Sequence, residues 1–158
     1  VLFFYYVHSA SIKVGEGLFG FLDLQFGAYI QILSEAKLVG YDFEIANVPF
    51  FEKLIVYAGT YGEFILPVLI VLGLFTRFAA VGMIIFVIVQ SYVDITAHIT
   101  DPEQQADTLG AWFDRDSASL IMDQRTLWVF VLLVLVVKGA GALSLDHLLS
   151  NWWNNRNT

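Results

Sequence analysis

The chain has 158 residues, of which 58% are hydrophobic and 15% are charged, whereas a soluble domain averages about 45–50% apolar and about 25% charged residues. Its formal net charge of −7 argues against nucleic-acid binding, which requires clustered lysine and arginine. The sequence contains no cysteine, which excludes disulfides, thiol nucleophiles and cysteine-held metals from it, and three scattered histidines do not suggest a metal site. Composition predicts a single membrane-embedded domain over residues 1–158.

Four apolar segments predict membrane helices. A helix needs about 20 mostly apolar residues to cross a bilayer, and residues 54–74, 78–97 and 127–143 reach or approach that length. The opening residues 1–13 have the character of the second half of a helix, so we expect its first half to precede Val1. The predicted fold is therefore all-α: a polytopic membrane protein built as a four-transmembrane-helix bundle.

The charges of the connecting segments predict the orientation. Only residues 76–77 separate the second and third predicted helices, so these helices form a tight hairpin and residues 13–53 and 98–126 share one side of the membrane. Both of those long loops are acidic, and basic residues favour the cytoplasm. The opposite side carries three basic residues and one acid: Arg77, Lys138, Arg156 and Asp146. The prediction is a bacterial inner (cytoplasmic) membrane protein, with cytoplasmic termini and periplasmic long loops.

The long loops contain apolar residues at helical spacing. Phe26, Tyr29, Ile30 and Leu33 recur within residues 21–36 on one helical face, beside polar residues on the other. This pattern predicts a short amphipathic helix in the membrane interface. The second long loop is similarly too apolar for a free linker.

Glu63 is an acid near the middle of a predicted membrane helix. An ionisable group in hydrocarbon is costly unless it is paired or neutral, and Pro67 removes the helical donor that the carbonyl of Glu63 would normally bond. Glu63 is either a proton-binding or ligand-binding site, or one half of a structural ion pair that holds two helices together. Lys13 is the candidate partner for that pair, and its alternative role is a lysine that reaches the membrane surface.

A second polar stripe crosses the third predicted helix. Gln90, Asp94 and His98 are spaced four residues apart and lie on one helical face. A carboxylate beside an imidazole can relay protons or bond a quinone carbonyl. The alternative is a polar seam that faces the bundle interior. The candidate catalytic residues are accordingly Glu63, Asp94 and His98.

Two motifs resemble the DoxX family of small four-helix bacterial membrane proteins. One starts at Glu63 and closes with a Gly-Leu-x-Thr-Arg turn, and the other is a Gly-x-Gly-x-Leu-Ser-x-Asp element near the end of the chain. Ser11-Ile-Lys13 is similar to the end of the family's first helix. The motif residues are Glu63, Gly73, Thr76, Arg77, Gly139, Gly141, Ser144 and Asp146. The resemblance implies the four-helix fold and a membrane partner for redox or maturation systems, as in thiosulfate:quinone oxidoreductase.

Two functions are compatible with this resemblance. In the first, the chain is a membrane subunit that docks or helps to assemble a larger, redox-related complex, with its outer loops as the contact surface. The candidate docking residues are Trp112, Phe113, Asp114 and Arg125. In the second, the chain is a quinone-linked oxidoreductase subunit with a proton- or quinone-binding cavity between its helices. The chain itself supplies no cofactor, and quinone or a bound lipid is the candidate ligand. Its expected partners are the lipid bilayer and other protein subunits. A transporter is less favoured, because no repeated broken helix is evident.

Overall fold

The described part of the chain consists of helices and the loops that connect them. A computed structural model describes residues 1–15, 20–99, 101–115 and 117–156, and among these the only strand-like pairing is an isolated bridge between Val14 and Leu24. Three helices are long and apolar enough to span a membrane: Phe50–Leu72, Thr76–His98 and Leu120–Lys138. The predicted all-α membrane fold is confirmed at this level.

The N-terminal region consists of short helices. Helix α1 covers Leu2–Ser11, α2 covers Phe26–Leu33, and α3 covers Glu35–Val39, with single 3₁₀ turns at Gly20–Leu22 and Ile45–Asn47. Ten residues of α-helix extend about 15 Å, which is half of a hydrocarbon core, so α1 does not count among the spanning helices.

The predicted amphipathic segment 21–36 forms two helices rather than one. Ser34 adopts a positive φ of 73° and separates α2 from α3. Tyr29 and Leu33 on the apolar face of α2 are buried, and α2 packs against the next long helix. The helical spacing of the apolar residues thus corresponds to helix α2, and the apolar face of that helix lies against protein.

The central hairpin consists of α4, Phe50–Leu72, and α5, Thr76–Val93, which continues as a π-helical turn over Asp94–His98. Gly73 ends α4 in the left-handed region, with φ 65°, and Phe75 follows with φ 49°. The turn is thus Gly73 to Phe75. The prediction that residues 76–77 form the connection is wrong, because Thr76 already begins α5.

The last spanning helix is displaced relative to the prediction. After α6, Pro102–Leu109, a π-helical segment Leu120–Arg125 leads directly into α7, Thr126–Lys138. The predicted span 127–143 is wrong at its C-terminal end, because Gly139 takes φ 74° and stops the helix. The missing length is supplied at the other end by the π-helical segment. Helix α8 covers Leu145–Arg156.

The helices pack around the α4–α5 hairpin. Helix α7 lies against α5, while α1 and α2 lie against α4. One buried cluster joins α1, α5 and α7 through Tyr6, Ala80, Met83, Val87 and Leu132. A second cluster joins α2, α3 and α4, with Tyr29, Leu38 and Val56 among its members. Much of the remaining helical surface is apolar and exposed, as expected of helices that contact lipid.

Candidate functional site

Lys13 and Glu63 form a buried ion pair near the middle of α4. Lys13 Nζ donates to Glu63 Oε1 at 2.6 Å and to Oε2 at 2.7 Å, and both side chains are at most 4% exposed. The two residues that the sequence suggested as partners are therefore in contact. Both carboxylate oxygens are used, which offsets part of the desolvation of two charges.

The local sequence explains why Glu63 points inward. Val56, Thr60, Glu63 and Pro67 are the buried residues of α4, and their spacing of three or four residues places them on one helical face. Helix α1 packs on this helix, so Lys13, just after the end of α1, reaches the same level of the bundle. Helix α4 continues through Pro67 without interruption.

A groove of about 480 Å³ runs between α4 and α5, with α2 at one end. We call it the α4–α5 groove. Its walls are mainly apolar, and small residues such as Gly59 and Gly82 make room for it. Ile55, Ile85 and Val89 on its rim are each more than half exposed, so the groove opens on the side of the helices that lipid would cover. Its polar lining residues are Lys13, Gln31, Glu63, Gln90, Asp94 and His98.

Gln90, Asp94 and His98, which their spacing places on one helical face, line this groove. Each makes a contact with a different element. Tyr6 Oη donates to Gln90 Oε1 at 2.9 Å, and His98 Nε2 lies 2.8 Å from the carbonyl oxygen of Gln31. Because a carbonyl only accepts, Nε2 of His98 donates in this contact, which leaves Nδ1 unused by it. The stripe is therefore both a seam between helices and part of a cavity wall.

Arg125 lies inside the bundle, away from the outer loop surface. It is 2% exposed, and its Nη2 donates to Asp94 Oδ2 at 2.5 Å while its Nη1 donates to Ser91 Oγ at 3.0 Å. Arg125 is one of the docking residues predicted from the sequence. The π-helical segment turns it onto α5, so that prediction is corrected: a side chain buried to this degree is not available to a partner protein.

The other docking candidates lie in the loop after α6. Trp112 is 60% exposed, and Phe113 is fully exposed with φ 67°. Asp114 is also exposed. Gly110, with φ 69°, ends α6 immediately before this stretch. The loop thus presents two aromatic side chains outward.

The two sequence motifs meet at the turn between α4 and α5. Asp146 Oδ1 and Oδ2 accept hydrogen bonds from the backbone N–H groups of Phe75 and Thr76, at 2.7 and 2.9 Å. In return the N–H of Asp146 donates to the carbonyl of Gly73 at 2.9 Å. Burial raises the pKa of Asp146, but the N–H groups of Thr76 and Phe75 outweigh it and leave the pKa below its ordinary value.

The remaining motif residues support this contact. Ser144 Oγ accepts from the N–H of His147 at 3.2 Å and so caps α8, while donating to the carbonyl of Gly141 at 2.7 Å. A Cβ on Gly73 would lie 2.5 Å from the Cβ of Ser144. Glycine is therefore required at this position for two reasons, its positive φ and this close approach.

Sequence reasoning missed three residues that complete the site. Tyr6, Gln31 and Ser91 each bond a groove or ion-pair residue, but a tyrosine, a glutamine and a serine within helices carry no signal of their own in one sequence. No group of histidine, aspartate and glutamate suited to holding a metal occurs among the described residues.

The fold and this site define a multi-pass helical membrane protein with a polar-lined groove between two of its spanning helices. The DoxX family model matches residues 18–98, half of the chain, and the chain belongs to that family. The resemblance noted in the sequence is thereby confirmed. The match covers the Glu63–Arg77 motif and ends before the second motif. Neither a curated protein nor a solved structure matches the chain significantly.

Proposed function

We propose that this DoxX-family protein is a membrane subunit that binds a quinone-type molecule in the α4–α5 groove. One observation carries the proposal: a cavity of small-molecule size, walled by apolar side chains, contains several hydrogen-bonding groups along one side. Ligand sites of about 300–1,000 Å³ with this division of surface are typical of proteins. A quinone matches it, because a quinone is an apolar ring and tail with two polar oxygens.

The polar wall offers both donors and acceptors to such a ligand. The amide nitrogen of Gln90 is a donor, since the contact with Tyr6 uses only the amide oxygen. Asp94 keeps 24% of its side chain exposed and bonds Arg125 through one oxygen, Oδ2. The contact with Gln31 uses Nε2 of His98 and leaves Nδ1 available to the ligand in this proposal. A carboxylate and an imidazole are side-chain types that act in general acid–base catalysis, so we assign proton transfer with the ligand to Asp94 and His98.

A bound quinone would supply two-electron, two-proton redox chemistry, and the protein would supply binding, orientation and proton transfer. A partner protein would carry the electrons. The proposal therefore includes a larger, redox-related complex as the setting of this chain, with a structural role for Lys13 and Glu63 at the edge of the groove. The phospholipid bilayer is the competing source of a groove ligand, because an acyl chain also suits the apolar wall.

The test is binding of decylubiquinone to the full chain in nanodiscs, measured by calorimetry. Val89→Trp places a large ring on the groove rim, and Ile88→Trp is its matched control, because Ile88 is equally exposed but does not line the groove. We expect Val89→Trp to weaken binding roughly tenfold and Ile88→Trp to leave it unchanged. Equal affinity in both variants, or no binding of decylubiquinone above its partition into empty phospholipid nanodiscs, would contradict the proposal.

A second candidate function is docking of a partner protein by the loop after α6. The exposed Trp112 and Phe113 favour it, since aromatic side chains are enriched at protein interfaces. We expect Trp112→Ser/Phe113→Ser to lose a partner that co-purifies with the unaltered chain from native membranes, while Phe51→Ser, an equally exposed aromatic at the start of α4, retains it. Retention by all variants would end this proposal.

For the membrane arrangement, we propose that α1 belongs to a fourth span, that residues 1–158 form one domain, and that the protein lies in a bacterial inner membrane. The packing of α1 on α4 and of α7 on α5 supports one bundle. The long loops with α2, α3 and α6 would be periplasmic and the termini cytoplasmic. Because the chain has no cysteine, a single Phe113→Cys or Asn155→Cys variant tests this directly. A membrane-impermeant thiol reagent should label the first and spare the second in spheroplasts.

A further inference from the structure

A second cavity, of about 340 Å³, lies where α4 turns into α5, at the end of the hairpin opposite His98. We call it the turn pocket. Its basic lining residues come from three elements: Arg77 from α5, Lys138 from the last residue of α7, and His147 from α8. They are distant in sequence, so the fold brings them together.

The cations of the turn pocket are not consumed by ion pairs. The ion pairs of the described residues join Lys13 to Glu63, Lys37 to Glu52, and Arg125 to Asp94, and none uses Arg77 or Lys138. Arg77 Nη2 donates to the carbonyl of Val137 at 3.3 Å, which occupies one of about five guanidinium N–H donors. Arg77 and Lys138 are both exposed.

The pocket has one acid among its lining residues, Asp146. Both of its oxygens accept backbone N–H groups at the start of α5, so its charge is partly offset by the positive end of that helix. Gly139 completes the arrangement, because a Cβ there would lie 3.2 Å from Arg77 Nε. Without a side chain, Gly139 leaves space for the guanidinium of Arg77. With Arg77 and Lys138 against Asp146, the pocket has a net positive charge.

Apolar residues are adjacent to these cations in the chain. Phe78 follows Arg77, lines the pocket and is 80% exposed, and Val137 precedes Lys138 and is 74% exposed. Both belong to helices long enough to cross a membrane. A soluble anion would contact only the charged groups. A phospholipid would contact both surfaces at once, with its phosphate on the cations and its acyl chains along the helices.

We propose that the turn pocket binds the phosphate headgroup of an anionic phospholipid through Arg77 and Lys138, with the acyl chains against Phe78 and Val137. This site lies at the opposite end of the hairpin from the outer polar end of the α4–α5 groove, and it does not depend on any function proposed for that groove. Bound lipid would tie the end of α7 to the α4–α5 turn.

The experiment is native mass spectrometry of the full chain in detergent with one added phospholipid. We expect dioleoyl phosphatidylglycerol to bind roughly tenfold more tightly than dioleoyl phosphatidylcholine, and Lys138→Gln and Arg77→Gln each to reduce that affinity roughly fivefold. Arg156→Gln is the charge-matched control, because Arg156 lies near the end of α8, stacks on Trp152 and does not line the pocket. It should leave the affinity unchanged.

Three results would overturn the proposal: equal binding of the two lipids, an equal loss in Arg156→Gln, or displacement of phosphatidylglycerol by millimolar inorganic phosphate. The last would identify a soluble anion site. If Arg77→Gln fails to fold, Lys138→Gln decides alone, because Lys138 is exposed at the last position of α7 and makes no described ion pair.

Discussion

The two ion pairs inside the bundle differ in how far a ligand can reach them. Lys13 and Glu63 are 4% and 3% exposed and use both carboxylate oxygens on one ammonium. Arg125 is buried to the same degree, but its partner Asp94 keeps 24% of its side chain exposed in the groove. A carboxylate paired with a cation is thus inaccessible at Glu63, whereas at Asp94 the carboxylate remains available to a ligand as an acceptor. We infer that the first pair holds helices and that the second can also serve a ligand.

The largest expected effect is the loss of one partner from the closed pair. Lys13→Met leaves Glu63 buried without a cation, and we expect it to lower the free energy of unfolding by about 3–5 kcal/mol, measured by SDS titration in mixed micelles. Lys13→Met/Glu63→Met is the control and should recover most of this loss. A loss below about 1 kcal/mol in the single variant would mean that the pair does not hold the helices.

A smaller loss is expected at the open pair. Asp94→Asn removes a charge but keeps an oxygen that can accept from Arg125, which also retains its bond to Ser91. We expect Asp94→Asn to lower the free energy of unfolding by about 1–2 kcal/mol in the same titration. Asp107→Asn, in the exposed part of α6, is the matched control and should change stability by under about 0.5 kcal/mol. A loss as large as that of Lys13→Met would remove the distinction between the pairs.

Asp146 gives a third, pH-dependent effect. At neutral pH Asp146→Asn should lower the free energy of unfolding by about 1 kcal/mol, because it weakens the cap on α5. The folded pKa of Asp146 is lowered, so its contribution is fully present above the unfolded pKa, near 3.8, and is lost as the pH falls through the lower folded value. The difference in the free energy of unfolding between the original chain and Asp146→Asn should therefore narrow below about pH 4. A difference that does not depend on pH would contradict a role for the carboxylate charge.

The smallest effect belongs to a solvated pair. Lys37 Nζ lies 3.2 Å from Glu52 Oε1, with the lysine 57% exposed. Lys37→Gln should change the free energy of unfolding by less than about 0.5 kcal/mol, and 0.5 M salt should abolish even that difference. A larger, salt-resistant loss would show that exposure does not rank these pairs.

The sequence was most informative where hydrophobic periodicity defines a helix, or where an apolar segment contains so few charged residues that few ion pairs are possible. The apolar stretches predicted the first two spanning helices to within about four residues and the third with a displacement toward the C-terminus, and the four-residue spacing of Gln90, Asp94 and His98 gave one helical face. Glu63 is the single acid within a long apolar segment, and Lys13 ends another, so their contact could be proposed from sequence.

Other features depended on tertiary contacts. Arg125 is 31 residues from Asp94, and its neighbours Asp123 and Gln124 suggest a solvated loop. The π-helical segment that turns it inward has no periodic signal. The end of α7 at Lys138 rather than Leu143 also follows from the backbone angle of Gly139, which hydropathy does not report.

The most direct test of the account is the decylubiquinone affinity of two variants in nanodiscs, compared with the original chain. The affinity of Lys13→Met/Glu63→Met for decylubiquinone should be within about twofold of that of the original chain. Asp94→Asn should remain folded and bind decylubiquinone roughly tenfold more weakly. Loss of binding in the first variant with a preserved fold, together with unchanged binding in the second, would contradict the assignment of structure to one pair and ligand contact to the other.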